Sequence, residues 1–180
     1  MRLYNRANYS NRWGKSSITL IFDFKKYILL FFITFYAFNL NADDEIISNT
    51  NVIVVDGDTI KFNNKKIRLH GIDTPEIKQI CKNKIGENYK CGVKAKIELI
   101  NLISQQKIKC LIHGKDRYKR LIGTCFINET NINRWLVKNG WALAYRKYSK
   151  DYIGDEEWAK NNHKGLWQGN FLEPWKWRKK

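Results

Sequence analysis

The stretch 56–76, DGDTIKFNNKKIRLHGIDTPE, leaves the chain few ways to fold locally. Two β-prone runs, 60–62 and 65–72, flank the polar pair Asn63-Asn64, which reads as a hairpin turn. A hairpin folded there returns the Asp73 end of the segment to the Asp58 end, at one edge of a sheet. Asp58 and Asp73 then lie together, Glu76 lies nearby, and Arg68 projects from the returning strand. Hard carboxylate oxygens beside a guanidinium suit a divalent cation together with a phosphate. Asp56, directly before Gly57, is read as a turn residue and not as a ligand.

The remaining chain supplies the frame for that hairpin. Residues 52–55 are a β-branched run and make a first strand; 107–113 and 120–127 make a fourth and a fifth, joined by the polar turn 114–119. Between the third and fourth strands, Val93, Ile97, Ile100 and Ile103 keep helical spacing, and the helix ends near Gln106. Residues 77–92 read as a loop. A short helix over 131–138 and a last one over 152–164 follow, closed by Gly140 and Gly165, and an aromatic tail covers the core. This order predicts an α+β fold with a mainly β core: a five-stranded OB-fold barrel with about three helices. The domain spans 52–168, after a leader (1–42) and a linker (43–51), and before an aromatic, basic tail (169–180). Such a barrel hosts many activities, so the fold alone does not choose one.

The leader carries an apolar run, 27–38, behind Lys25-Lys26 and ahead of a small residue, Ala42, and an acidic stretch. That is the outline of a signal peptide. The run is shorter than the ~20 residues of a spanning helix, although Leu40 extends it. Cleavage after Ala42 and retention as a membrane anchor around 27–40 both stay open; the domain is expected to be exported, periplasmic or secreted, or anchored to the membrane. A formal net charge of +16 favours a polyanionic partner, although a composition rich in Asn, Ile and Lys brings basicity of its own. With 43% hydrophobic residues and seven Trp, wholesale disorder is excluded. Four cysteines behind an export signal allow three disulfide connectivities. The favoured one joins Cys81 to Cys91 across the 77–92 loop and Cys110 to Cys125 across the fourth and fifth strands. His70, His113 and His163 lack metal-ligand spacing, and Asp151, Asp155, Glu156 and Glu157 read as a solvated helix face.

Three blocks, VDGDT at 55–59, GIDTPE at 71–76 and DRYKR at 116–120, with Arg68-Leu69 on the strand between the first two, resemble the signature of the staphylococcal nuclease (thermonuclease) family. The resemblance runs in order and spacing from about residue 52 to 167. It implies a calcium-dependent endonuclease that cleaves DNA and RNA with low sequence preference and leaves 3′-phosphate ends. One Ca2+ would be held by the carboxylates of Asp58 and Asp73 and the backbone carbonyl of Thr74. Glu76 would position or deprotonate the attacking water, and Arg68 and Arg120 would grip the phosphate. Tyr118 and Tyr145 match positions that line the family's nucleotide pocket. Lys119 departs from the pattern, which usually has glycine there; a turn that needs positive φ is strained by it, and Arg120 depends on that turn. Lys119 is at the same time a candidate phosphate contact. The rival class is a non-catalytic barrel that binds nucleic acid or another polyanion. Retention of Asp58, Arg68, Asp73, Glu76 and Arg120 favours the enzyme, and a monomer is expected.

Overall fold

The computed structural model of the protein describes residues 45–62 and 64–180. The expected signal peptide or anchor lies outside the described residues. Along the chain run β1 (Glu45–Asn49), β2 (Ile53–Asp56), β3 (Thr59–Phe62), β4 (Lys65–Leu69), β5 (Ile72–Asp73), β6 (Ile80–Lys82) and β7 (Asn88–Lys90). Helix α1 (Cys91–Ile103) precedes β8 (Ile108–Lys115), β9 (Leu121–Ile127) and β10 (Thr130–Asn131). The chain then forms α2 (Ile132–Lys138), β11 (Leu143–Ala144), α3 (Ile153–Asn161), a 3-10 turn (Gly165–Gln168) and the one-turn α4 (Pro174–Trp177).

The main sheet has the order β1-β8-β9-β4-β3-β2, with β10 on the flank of β9. Its two end strands, β1 and β2, are consecutive in the chain with only residues 50–52 between them, so the sheet curls back on itself. All five expected strands are present as β2, β3, β4, β8 and β9. The stretch read as a linker contributes a further strand, β1, which pairs with β8 from Glu45↔Ile112 to Asn49↔Ile108. The fold is α+β, a curled sheet with few helices.

Alternation drives the sheet. Along β9, Leu121, Gly123, Cys125 and Ile127 are buried, and along β8 Ile108, Cys110 and Ile112 face the same core. They meet Ile60, Ile67 and Leu69 of the hairpin and Leu99 and Leu136 of the helices. Each such Ile or Leu contributes roughly 1.5–3 kcal/mol on burial. Strand β4 pairs in parallel with β9, Arg68 opposite Ile122. That pairing brings the Arg68 hairpin alongside the turn that carries Arg120.

Helix α1 turns a different face inward from the one its isoleucines suggest. Ile97 and Ile100 are exposed, whereas Gly92, Ala95, Leu99 and Ile103 are buried. The cause is a backbone approach: a β-carbon at Gly92 would stand 1.9 Å from the carbonyl oxygen of Glu76. Small residues must face that contact, which sets the rotation of the helix. Residues 77–92, read as a loop, contain the β6–β7 hairpin, with Cys81 opposite Tyr89. Both expected disulfides are present, Cys81–Cys91 and Cys110–Cys125. The first belongs to a second apolar cluster with Leu143 and Leu166, over which Trp167, Phe171 and Trp175 pack.

Candidate active site

The β3–β4 hairpin does what its sequence predicts. Thr59 pairs with Arg68, and the Leu69 N–H donates to the Asp58 carbonyl at 2.8 Å, so Asp58 stands beside the end of β4. Asp56 accepts the Asp58 N–H at 3.1 Å, the short-range bond of an Asx turn. Gly57 is required there, because a β-carbon would come within 2.7 Å of Thr74 Oγ1. Asp58 Oδ2 accepts the backbone N–H of Thr74 at 3.2 Å, and Oδ1 accepts the Thr59 hydroxyl at 3.1 Å and Arg68 Nη1. The other arm of Arg68 reaches Asp73 Oδ1 at 2.9 Å. One guanidinium thus bridges the two carboxylates expected to hold metal, and Asp73 is wholly buried.

A second guanidinium meets the same group from the far end of the chain. Arg178 Nη2 lies 2.7 Å from Asp73 Oδ2, and Nη1 lies 2.7 Å from Glu76 Oε1 and 3.2 Å from Asp73 Oδ1. The sequence reading did not single out Arg178. It follows Pro174, a helix-starting residue, and Trp175-Lys176-Trp177, and nothing in that spacing marks it for the acidic cluster.

Negative charge dominates this corner. Burial, with Asp58's charge added, pushes the Asp56 carboxyl up to about 6. Burial also raises Asp73, against the pull of its bond to Arg178. Burial opposes the charge on Arg68, but Asp58 and Asp73 outweigh it and hold the guanidinium more firmly protonated than usual; Asp73 and Glu76 do the same for Arg178.

Arg120 approaches from the β8–β9 turn. Its Nη2 and Nε both lie 2.8 Å from Asp116 Oδ2, and its ring neighbour is Tyr118, whose centroid is 5.6 Å from the guanidinium carbon. Asp116 Oδ1 accepts the N–H groups of Tyr118 and Arg120, and the Lys119 N–H closes the turn on the Asp116 carbonyl. Lys119 adopts φ 62°, the left-handed conformation that favours glycine, as the departure from the family pattern suggests. Arg120 nevertheless keeps a place on the cleft wall. The cleft, about 830 Å³, is lined among others by Asp58, Arg68, Glu76, Arg120, Tyr145 and Arg178. Tyr118 and Thr74 line it too, and Asp73 is buried. Tyr145 stacks in parallel on Trp175, with centroids 5.5 Å apart. Lys119 instead lines an adjoining groove of about 390 Å³ with Lys61, Lys65, Lys66 and Lys115.

One sequence reading changes, that of Glu156 on α3. His70 and His113, far from ligand spacing in the chain, meet edge to face on the cleft wall at 5.1 Å. Glu156, read as solvated, is buried: it accepts the Ala144 N–H at 2.9 Å and pairs with Arg146 at 2.5 Å. It thereby holds β11, which pairs with β5 and carries the chain towards Tyr145. Asn133, also fully buried, links Cys125 N–H to the carbonyls of His70 and Gly123.

The donor set fits a hard divalent cation. Asp58 and Asp73 offer only oxygen, and with Asp56 and Glu76 four carboxylates gather about the two guanidiniums of Arg68 and Arg178. Among the described residues no group of three or more His, Cys, Asp and Glu could enclose a metal ion, so any ion would complete its coordination with backbone oxygen, water or phosphate.

A curled OB-like sheet thus carries buried aspartates and a partly exposed glutamate, and Arg68, Arg120 and Arg178 line one cleft. The profile of the family described as staphylococcal nuclease homologue matches residues 66–169, and the chain belongs to that family. It is 36% identical over 136 residues to an uncharacterized endonuclease of Haemophilus influenzae, covering 71% of each chain. Identity to a micrococcal nuclease of Shigella flexneri is 32% over 146 residues, 71% of this chain and 78% of that one. A succinoglycan biosynthesis protein of Rhizobium meliloti, ExoI, is 32% identical over 166 residues, 91% of this chain and 83% of its own.

Proposed function

We propose that the protein is a nuclease, specifically a Ca2+-dependent endonuclease that hydrolyses DNA and RNA with little sequence preference and leaves 3′-phosphate ends. One observation carries the reading: a single cleft collects Asp58, Glu76, Arg68 and Arg120, with Asp73 directly behind them. The names of the Haemophilus and Shigella relatives support it.

Asp58, Asp73 and the Thr74 carbonyl would hold the ion, which supplies Lewis-acid stabilisation of the phosphate charge. Arg68 is bound to both aspartates and lines the cleft; a cation on those carboxylates would leave its guanidinium to a phosphate. Its paired N–H groups would fit two phosphate oxygens, as would those of Arg120 from the neighbouring turn. Glu76 takes a proton from the attacking water. The new bond joins water oxygen to phosphorus, the bond to the 5′ oxygen breaks, and that oxygen takes a proton from solvent, leaving a 3′-phosphate and a 5′-hydroxyl. Tyr118 and Tyr145 offer ring faces to the bases, and the lysine groove beside the cleft offers a sequence-tolerant path for the backbone. Two disulfides support action in an oxidising compartment, in keeping with export or anchoring by the leader, and the protein acts as a monomer.

The test is digestion of single-stranded DNA by the purified protein with Ca2+ and with excess chelator. Calcium-dependent cutting to 3′-phosphate ends is expected. Binding without cutting in calcium would move the protein to the class of non-catalytic nucleic-acid-binding barrels.

A further inference from the structure

We propose that Arg178 is a positioning residue for Glu76, delivered to the site by a C-terminal strap. The proposal rests on the reading of Glu76 as the group that takes the proton from water. Asp73, wholly buried, anchors Arg178 through both carboxylate oxygens. Glu76, with 39% of its side chain exposed, receives a single bond from Arg178 to Oε1 at 2.7 Å. The anchor fixes the guanidinium, and the guanidinium fixes one oxygen of the glutamate. The second oxygen stays available to a water. A carboxylate on a partly exposed side chain otherwise samples several rotamers, and a displacement of about 1 Å can slow a reaction about 100-fold.

The strap has its own supports, independent of the ion pair. The buried side chain of Gln79 donates to the Leu172 carbonyl at 2.6 Å and accepts the Glu76 N–H at 3.3 Å. One amide therefore ties the strap to the loop that bears Glu76. Lys82 and Asn170 exchange two backbone bonds, at 2.8 and 3.1 Å, on the hairpin that the Cys81–Cys91 disulfide closes. Trp175 stacks on Tyr145, and Phe171 meets Trp167 edge to face. Residues 169–178 are thus held at four points before Arg178 reaches the carboxylates. A surface arginine that merely found nearby acids would need none of them.

The test compares wild type, Arg178→Met and Arg178→Lys in the full chain, alone and in a Glu76→Gln background. With single-stranded DNA and Ca2+, R178M should lower kcat about 10- to 100-fold with KM within about threefold, and R178K should recover part of the loss. In the E76Q background R178M should change kcat no further. A crystal structure of R178M should show the Glu76 carboxylate in a new rotamer. An equal kcat loss in the E76Q background would overturn the proposal, as would an unmoved Glu76 in the crystal. A wild-type protein that does not cut would overturn the nuclease reading; the rotamer of Glu76 in R178M would still decide whether Arg178 positions it.

Discussion

Gly92 presses its backbone against Glu76: a β-carbon at 92 would lie 1.9 Å from the Glu76 carbonyl oxygen and 2.7 Å from that of Pro75. The first turn of α1 is therefore the floor under the loop that carries the proposed base. Gly92→Ala must push the helix or the loop aside. A fall in kcat of about 10-fold or more is expected, with a destabilisation of about 1–3 kcal/mol from overpacking. Assays of cleavage and thermal melting check both; an unchanged kcat would show that the loop yields without moving the carboxylate.

Arg68 neutralises two carboxylates that are almost entirely removed from water. Its replacement by alanine leaves Asp58 and Asp73 facing each other with one guanidinium fewer. In chelator, melting should report a loss of about 3–5 kcal/mol, the typical result of orphaning buried charge. Added Ca2+ should restore part of it by binding only the folded state. Cleavage should fall at least about 100-fold even in saturating Ca2+. A variant that melts identically with and without Ca2+ would remove the aspartates from the metal.

Lys119 offers two effects of opposite sign. At φ 62° a glycine avoids the steric cost of a β-carbon, so Lys119→Gly should stabilise the fold by about 1 kcal/mol. The same change removes a cation from the groove next to the cleft. The dependence of log affinity for single-stranded DNA on log salt should flatten by about 0.7 if Lys119 meets a phosphate. Melting and salt-dependent binding separate the two; an unaltered slope would confine Lys119 to the turn.

Asp56 gives the fold a pH dependence. Its carboxyl is pushed up to about 6 from an ordinary 3.8, so the folded state binds its proton more tightly than the unfolded state does. That contribution is fully present below the unfolded value and is lost as pH rises through the folded one. Asp56→Asn keeps an oxygen to accept the Asp58 N–H without the charge. In chelator it should raise stability on the order of 1–2 kcal/mol at pH 8 and hardly at all near pH 4. A gain of equal size at both pH values would assign it to something other than ionisation.

Where the chain's own periodicity decides the structure, the sequence was legible. The hairpin over 56–76 and strands β8 and β9 follow from alternation and turn residues, and with them the meeting of Asp58, Arg68 and Asp73. The facing of α1 was not legible, because the contact that sets it joins a glycine to a carbonyl outside the helix. Isoleucines 97 and 100 keep helical spacing but lie on the wrong side of that contact. Strands β6 and β7 are too short to show a period, and only Cys81 and Cys91 marked them. Arg178 lies 102 residues from Glu76, and a pair that distant leaves no trace in local pattern. Glu156 resembled its neighbours on α3 until the Ala144 N–H it satisfies came into view.

Cys110 and Cys125 are direct partners across β8 and β9. A bond at matched positions on two strands acts as a ruler. It forbids the one-residue slip that would turn every side chain of β9 to the other face of the sheet. Strand β9 passes its alignment on to β4, Ile122 beside Arg68, and starts one residue after Arg120. The phase of both proposed phosphate-gripping arginines is thus written into a covalent link that touches neither of them.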